Sequence, residues 1–224
     1  MDVSPDQVRT AILSLVAFLV SVAVHEFGHA FVADRLGDRT PRSQGRVTLS
    51  PLAHADLIGT IILPLLAAFN PGMPMLAWGK PVETNPGNYS RRLPWRVGHM
   101  LVAVAGPAMN LVLALVMTGV VVGLGTAHAI QLPLAAALVR YVVYLNIVLM
   151  FFNLIPLPPL DGANVLAGFL PARLQIVPQT LRRYGTLLFL VLYLSGVLSF
   201  VMRPAFHVAN VWAEAVLRKV AAAA

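Results

Sequence analysis

The sequence predicts an all-α polytopic membrane protein. It reads as about four full transmembrane helices, a short re-entrant or interfacial helix, small β-strand elements near a site, and a C-terminal amphipathic helix. Three observations carry this. Hydrophobic residues make up 58% of the 224-residue chain and charged residues only 11%, with a mean hydropathy of +0.77, which leaves little polar surface for a soluble domain. Apolar runs recur that are long enough to cross a hydrocarbon core of ~30 Å. Basic residues gather in the short loops between those runs, where they act as lipid anchors and topology signals. The net charge of +7 therefore points to the lipid bilayer as partner and not to nucleic acid, because no basic run interleaves with aromatics. Cysteine is absent, so disulfides and thiolate ligands are excluded, and any metal must be held by His, Asp or Glu. Residues 1–224 read as a single membrane-embedded domain, with a core at about 8–170 and a last span and amphipathic tail at about 181–224.

Ser4-Pro5-Asp6 offers the start of the first helix. Thr10 to Val24 could pass for the core of a signal peptide. The residues before it are nearly neutral, however, and the apolar run continues into a polar motif, so an uncleaved span to about Leu36 is expected, stopped by Gly37. Arg39, Arg42 and Arg46, with Arg35 just before them, form the strongest positive-inside signal in the chain. Val47-Thr48-Leu49 is a strand candidate. Leu57 to Phe69 is apolar but short and carries Pro64, which suits a helix that dips in and returns. Asn70 to Arg96 is rich in proline and glycine, an irregular or hairpin-like stretch in which Leu76-Ala77-Trp78 and Pro81-Val82-Glu83-Thr84 are edge-strand candidates. Spans follow at about Val97 to Gly125 and Leu132 to Pro156, then a proline-broken segment from Asn153 to Gly162, and a last span over Tyr184 to Met202. In the tail, His207, Asn210, Glu214 and Arg218 form a polar stripe opposite Phe206, Val208, Val216 and Val220, which reads as an amphipathic surface helix with Glu214 and Arg218 paired.

The chemistry centres on His25-Glu26-Phe27-Gly28-His29, inside the first apolar run. His25 and His29 share one face of a helix and can reach a single metal, and Glu26, about 100° round from His25, can deprotonate a water there. Such groups at membrane depth cost several kcal/mol unless they serve each other or an ion. A catalytic zinc usually has three protein ligands. Asp161 stands behind helix-breaking prolines and before Gly162, and it reads equally as a third ligand or as the N-cap of the helix that follows. Asn153 offers an amide to a substrate carbonyl or a developing oxyanion.

Taken together, His-Glu-x-x-His, Asn153-x-x-Pro156-x-x-x-Leu160-Asp161-Gly162 and Gly106-Pro107-Ala108-Met109-Asn110 resemble the site-2 protease family of intramembrane zinc metalloproteases. The resemblance covers about residues 8–170. It implies one Zn2+ held by His25, His29 and Asp161, Glu26 as general base and acid, Asn153 assisting substrate binding, and transmembrane protein substrates. The chain departs from the family by absence: it reads as a compact form with no room for the PDZ or CBS domains that many members carry.

Asn110, His54, Lys80, Pro81 and Val82 are further candidates for substrate binding or gating. Against this, Asn110 can serve helix packing, Gly106 close helix approach, Asp56 a helix cap and His54 an interfacial position. His99, His128 and His207 read as solvated. The alternative function is a non-enzymatic metal- or haem-binding membrane protein, which predicts histidines paired across different spans. If His25, His29 and Asp161 meet, the first and third spans run the same way and Leu57 to Phe69 re-enters. By the positive-inside tendency, the site then lies nearer the cytoplasmic face of a prokaryotic cell membrane. Substrate identity and oligomeric state are not encoded legibly.

Overall fold

The computed structural model describes residues 4–70, 76–171 and 176–223. Helix α1 spans Pro5–Arg35, opened by a Ser4–Gln7 capping box and closed at Leu36 and Gly37, whose φ of +108° suits glycine. Short turns α2 (Thr40–Ser43) and α3 (Pro51–His54) lead to α4 (Leu57–Phe69). The first six residues of α4 are wound as a π-helix. Asp56 caps α4, its Oδ1 accepting from the Ile58 and Gly59 amides. Helices α5 (Trp95–Thr126) and α6 (Leu132–Asn153) follow, the latter with a π-turn at Val139–Tyr144. The chain ends with α7 (Asp161–Phe169), α8 (Ile176–Leu194), α9 (Val197–Val201) and α10 (Arg203–Ala223).

Among the described residues, three helices, α1, α5 and α6, are long and apolar enough to cross a membrane. Their packing is the reverse of a soluble bundle. Along α1, Ala17, Ala23, Ala30 and Gly28 are buried while Ile12, Leu13 and Val16 are exposed; on α5, Ala103, Ala105 and Gly106 are buried while Leu115 and Val116 are exposed. Small residues let the backbones approach and large ones face outward, as lipid requires. A core of Ala114, Val121, Val139, Val143, Ile147, Ala209, Val216 and Val220 joins α5, α6 and α10.

Two expectations change. No strand forms among the described residues: 47–49 and 76–85 have no strand partner, and the second stretch crosses the protein as a single extended segment. Its bonds go to helix ends and side chains instead, with the Trp78 amide on the Gly59 carbonyl and the Lys80 amide on the His54 carbonyl. Nor is the last span continuous. Helix α8 stops at Leu194, where Ser195-Gly196 turns the chain, with Gly196 at φ +77°, before α9.

The tail helix forms, and Arg218 bonds Glu214 at 3.1 Å. It is not a surface helix lying apart from the bundle, however. Val220 meets Gly125 and Trp212 bonds Thr118, so α10 runs parallel to α5 and packs along its second half. Val208, expected on the apolar face, is exposed. The excursion through α4 begins near Arg46 and returns to Asp38, both beside the C-terminal end of α1. In between, Ala67 and Ala68 share a groove with Asp6 and Thr10 at its N-terminal end. The excursion therefore leaves and returns at the same end of α1.

Candidate metal centre

The C-terminal half of α1 packs antiparallel on α5: His29 meets Val102, and His25 meets Gly106 and Asn110. Helix α6 runs with α1, and beyond its end the proline-rich turn delivers Asp161 in the first turn of α7. Leu160 holds the N-cap position, so Asp161 makes no cap hydrogen bond; its carboxylate turns toward the two imidazoles instead. Asp161 Oδ2 lies 3.1 Å from His25 Nε2 and 3.3 Å from His29 Nε2, and the two Nε2 atoms are 3.1 Å apart.

These atoms suit a cation. The His29 Nδ1 donates to the Val102 carbonyl at 2.7 Å, and the His25 Nδ1 lies 2.7 Å from Asn110 Oδ1. With the rings neutral and their protons on Nδ1, both Nε2 lone pairs would face the same carboxylate oxygen. Asp161 Oδ2 is buried and has no hydrogen-bond donor. Ligands ~2.0–2.1 Å from a shared tetrahedral ion are about 3.3–3.4 Å apart, close to the spacings here. His25, His29 and Asp161 together can hold a metal ion.

Two glycines make the arrangement possible. A Cβ on Gly106 would run into His29 Nε2 and the Cε1 atoms of both rings. Gly106 therefore does more than bring helices together: it vacates the floor beneath both imidazoles. A Cβ on Gly28 would strike the Ala105 carbonyl and Met109, so glycine inside the motif sets the α1–α5 approach.

The donors open on a cavity of about 610 Å3, lined by apolar groups such as Phe18, Val22, Phe152, Phe189 and Leu190. Glu26 and Asn153 line it beside the three donors. The Glu26 Oε2 accepts from the Val82 amide at 2.9 Å, and Asn153 Nδ2 bonds the Leu149 carbonyl at 3.0 Å, which leaves its Oδ1 for a ligand. Pro81 and Val82 also line the cavity; Lys80 does not, and its backbone bonds His54 and Arg46.

His54 is fully buried behind the extended segment, its Nε2 on the Thr48 carbonyl. Burial, opposed by that carbonyl and by the Glu26 charge, pushes its pKa below the ordinary histidine value. Asn110 does not reach the cavity: it is fully buried behind His25. His99, expected to be solvated, lines the cavity, whereas His128 and His207 are exposed. Sequence reasoning missed Ser21 and Asn146, buried polar residues that bond Asn110 and each other. The available signal was an amide in the middle of an apolar span, where an unpaired one is costly.

Fold and site together define a polytopic membrane protein whose spans build one metal-binding cavity around a His-Glu-x-x-His helix. The sequence matches the profile of Peptidase family M50 over residues 13–132 and 121–196. It is 34% identical to "Putative zinc metalloprotease YwhC" of Bacillus subtilis, covering 85% of this chain and 84% of that protein. It is 30% identical to "Putative zinc metalloprotease Rip2" of Mycolicibacterium smegmatis and 29% identical to the Rip2 of Mycobacterium tuberculosis, each over 84% of this chain and 69% of the relative. No solved structure matches. The chain belongs to peptidase family M50, the site-2 protease family that its three motifs resemble.

Proposed function

We propose that this chain is a zinc-dependent intramembrane endopeptidase that hydrolyses peptide bonds in or near transmembrane segments of membrane proteins. It acts as one domain in the cell membrane of a prokaryote, with the site nearer the cytoplasmic face. The observation that carries the reading is the convergence of His25 Nε2, His29 Nε2 and Asp161 Oδ2 beside Glu26 in an apolar cavity.

His25, His29 and Asp161 are the residues that hold the ion. When bound, zinc supplies Lewis-acid chemistry, activating water near neutral pH and polarising a peptide carbonyl. Glu26 takes the proton from the attacking water and passes it to the leaving amide nitrogen. The Val82 amide holds the Glu26 carboxylate in place meanwhile. Asn153 presents its amide to the substrate backbone.

A substrate helix hides its carbonyls in its own hydrogen bonds, so the cleaved stretch must unwind and find new partners. The extended segment supports this. Trp78, Lys80 and Val82 bond inward, while Ala77 and Gly79, which also line the cavity, have backbone groups with no partner among the described residues. An unwound substrate pairs there as an added strand.

The test is cleavage of single-span substrates in detergent or vesicles, with metal content measured in parallel. Glu26→Gln should abolish cleavage at unchanged zinc stoichiometry, and Asp161→Ala should lose both. Near-normal turnover in Glu26→Gln, or full zinc in Asp161→Ala, overturns the corresponding role.

A further inference from the structure

Asn146 lies outside the three motifs, in α6 just after the π-turn. It is completely buried, as are Ser21 and Asn110, so each depends on partners inside the protein. The direction of every bond in this cluster is set by carbonyls, which can only accept. The Val142 carbonyl, 2.8 Å from one end of the Asn146 amide, requires Nδ2 there, so Asn146 Oδ1 faces Asn110 at 2.7 Å. Ser21 Oγ gives its proton to the Ala17 carbonyl at 2.7 Å, and therefore accepts the second Nδ2 hydrogen of Asn146 at 2.8 Å. Asn110 must then present Nδ2 to Asn146, and the Ser21 carbonyl, 3.3 Å from the same nitrogen, agrees. What remains for His25 is Asn110 Oδ1, an acceptor.

We propose that Asn146 is a positioning residue of the metal centre: acting through Asn110, with Ser21 as its second contact, it keeps the His25 proton on Nδ1 and the Nε2 lone pair toward His29 and Asp161. The two ends of an asparagine amide have nearly the same shape. Without Asn146, the main restraint on Asn110 is gone, and its amide can turn to offer Nδ2 to His25. The imidazole then carries its proton on Nε2, inside the donor set, and the site closes to a cation. Partners that orient a ligating histidine are worth about 10–100-fold in metal affinity. The inference rests on the metal-centre reading above.

The experiment uses the full chain in detergent micelles with Co2+ and Zn2+ as probes. Asn146→Leu should bind Co2+ about 10–100-fold more weakly, with an altered visible spectrum. Asn146→Asp, neutral at this buried position with its hydroxyl donating to the Val142 carbonyl, keeps an acceptor for Asn110 and should bind within a few-fold of wild type. Because Asn146 acts through Asn110, the Asn110→Leu/Asn146→Leu double variant should bind no more weakly than Asn110→Leu alone. Wild-type affinity and spectrum in Asn146→Leu, or additive losses in the double variant, overturn the proposal. Should Asn146→Leu fail to fold, 15N resonances of the metal-free wild-type chain decide. A His25 proton on Nδ1 supports the role, and one on Nε2 overturns it. A wild-type chain that binds neither ion overturns the metal-centre reading itself, a different result from equal binding by both chains.

Discussion

Gly106 shows how much chemistry one missing methyl group can carry. Its Cα faces the undersides of both histidine rings, and the carbonyls on which those rings depend belong to the same helix. Gly106→Ala overpacks that floor at a cost of about 1–3 kcal/mol. The rings must yield, since the alternative is to part α1 from α5 along their whole contact. We expect roughly 10–100-fold weaker zinc binding with little change in helix content, read by metal titration and circular dichroism. Unchanged affinity would return Gly106 to a packing role. At this scale the sequence was legible where spacing alone decides the outcome. Residues four apart on a helix must share a face, so His25 and His29 pair whatever surrounds them. Asp161 needed more: as ligand or cap it fits the same residues, and only its turn toward the rings separates the two. Ser21, Asn146 and His99 stayed hidden because their roles depend on which faces of three helices meet, which no local pattern encodes.

The extended segment 76–85 is held by loop side chains at its middle and at its C-terminal end. Arg46, nearly fully buried, donates to the carbonyls of Ala53, Lys80 and Pro81. Asp38, fully buried, accepts from the Thr40 amide and hydroxyl, the Asn85 amide at 2.6 Å and Asn88 Nδ2. Burial works to raise the Asp38 carboxyl, but the donors from Thr40, Asn85 and Asn88 outweigh it and hold it below the usual carboxylate range. The sign follows from linkage. A lowered native pKa means that ionised Asp38 stabilises the fold above its unfolded value of ~3.9, and this contribution fades as pH falls through the native value. On acidification below about pH 4, the thermal midpoint of the wild-type chain should fall more steeply than that of Asp38→Asn. At neutral pH, Asp38→Asn should exchange the Asn85 amide faster. Parallel pH curves for the two chains would show that Asp38 does not pin the segment. The sequence read this stretch as strands because its residues are extended and punctuated by proline. It could not show that helix ends and a guanidinium, and no second strand, supply the partners. The broken last span has a similar cause: Ser195-Gly196 is a weak signal inside an apolar run, decisive only once glycine takes a positive φ.

At the scale of the whole molecule, the site dictates the topology. His25 and His29 lie toward the C-terminal end of α1 and Asp161 lies past the C-terminal end of α6, so the two helices run together with α5 between them in the opposite sense. The excursion through α4 leaves and returns beside the C-terminal end of α1, which puts Arg39, Arg42, Arg91 and Arg92 at one end of the bundle. The proposed cytoplasmic placement of the site rests on the positive-inside tendency at that end. Helix α10 supplies an independent check. It runs parallel to α5, with Val220 beside Gly125, so Arg218 and Lys219 fall at the opposite end, against the charge rule. Packing and charge thus disagree about the tail, and packing should prevail: Ala209, Val216 and Val220 are buried in the core shared by α5 and α6, whereas Arg218 and Lys219 are exposed. Single cysteines, in a chain that has none of its own, read this directly with an impermeant thiol reagent on cells and inverted vesicles. Cysteines at Ser43 and Ser90 should label from the cytoplasmic side, and cysteines at His128 and Ala222 from the other. Opposite labelling of Ser43 and Ser90 would make the α4 excursion a true crossing, and α1 and α6 could then no longer bring their ligands to one ion. Cytoplasmic labelling at Ala222 would instead detach the tail from α5 and leave the site's topology intact.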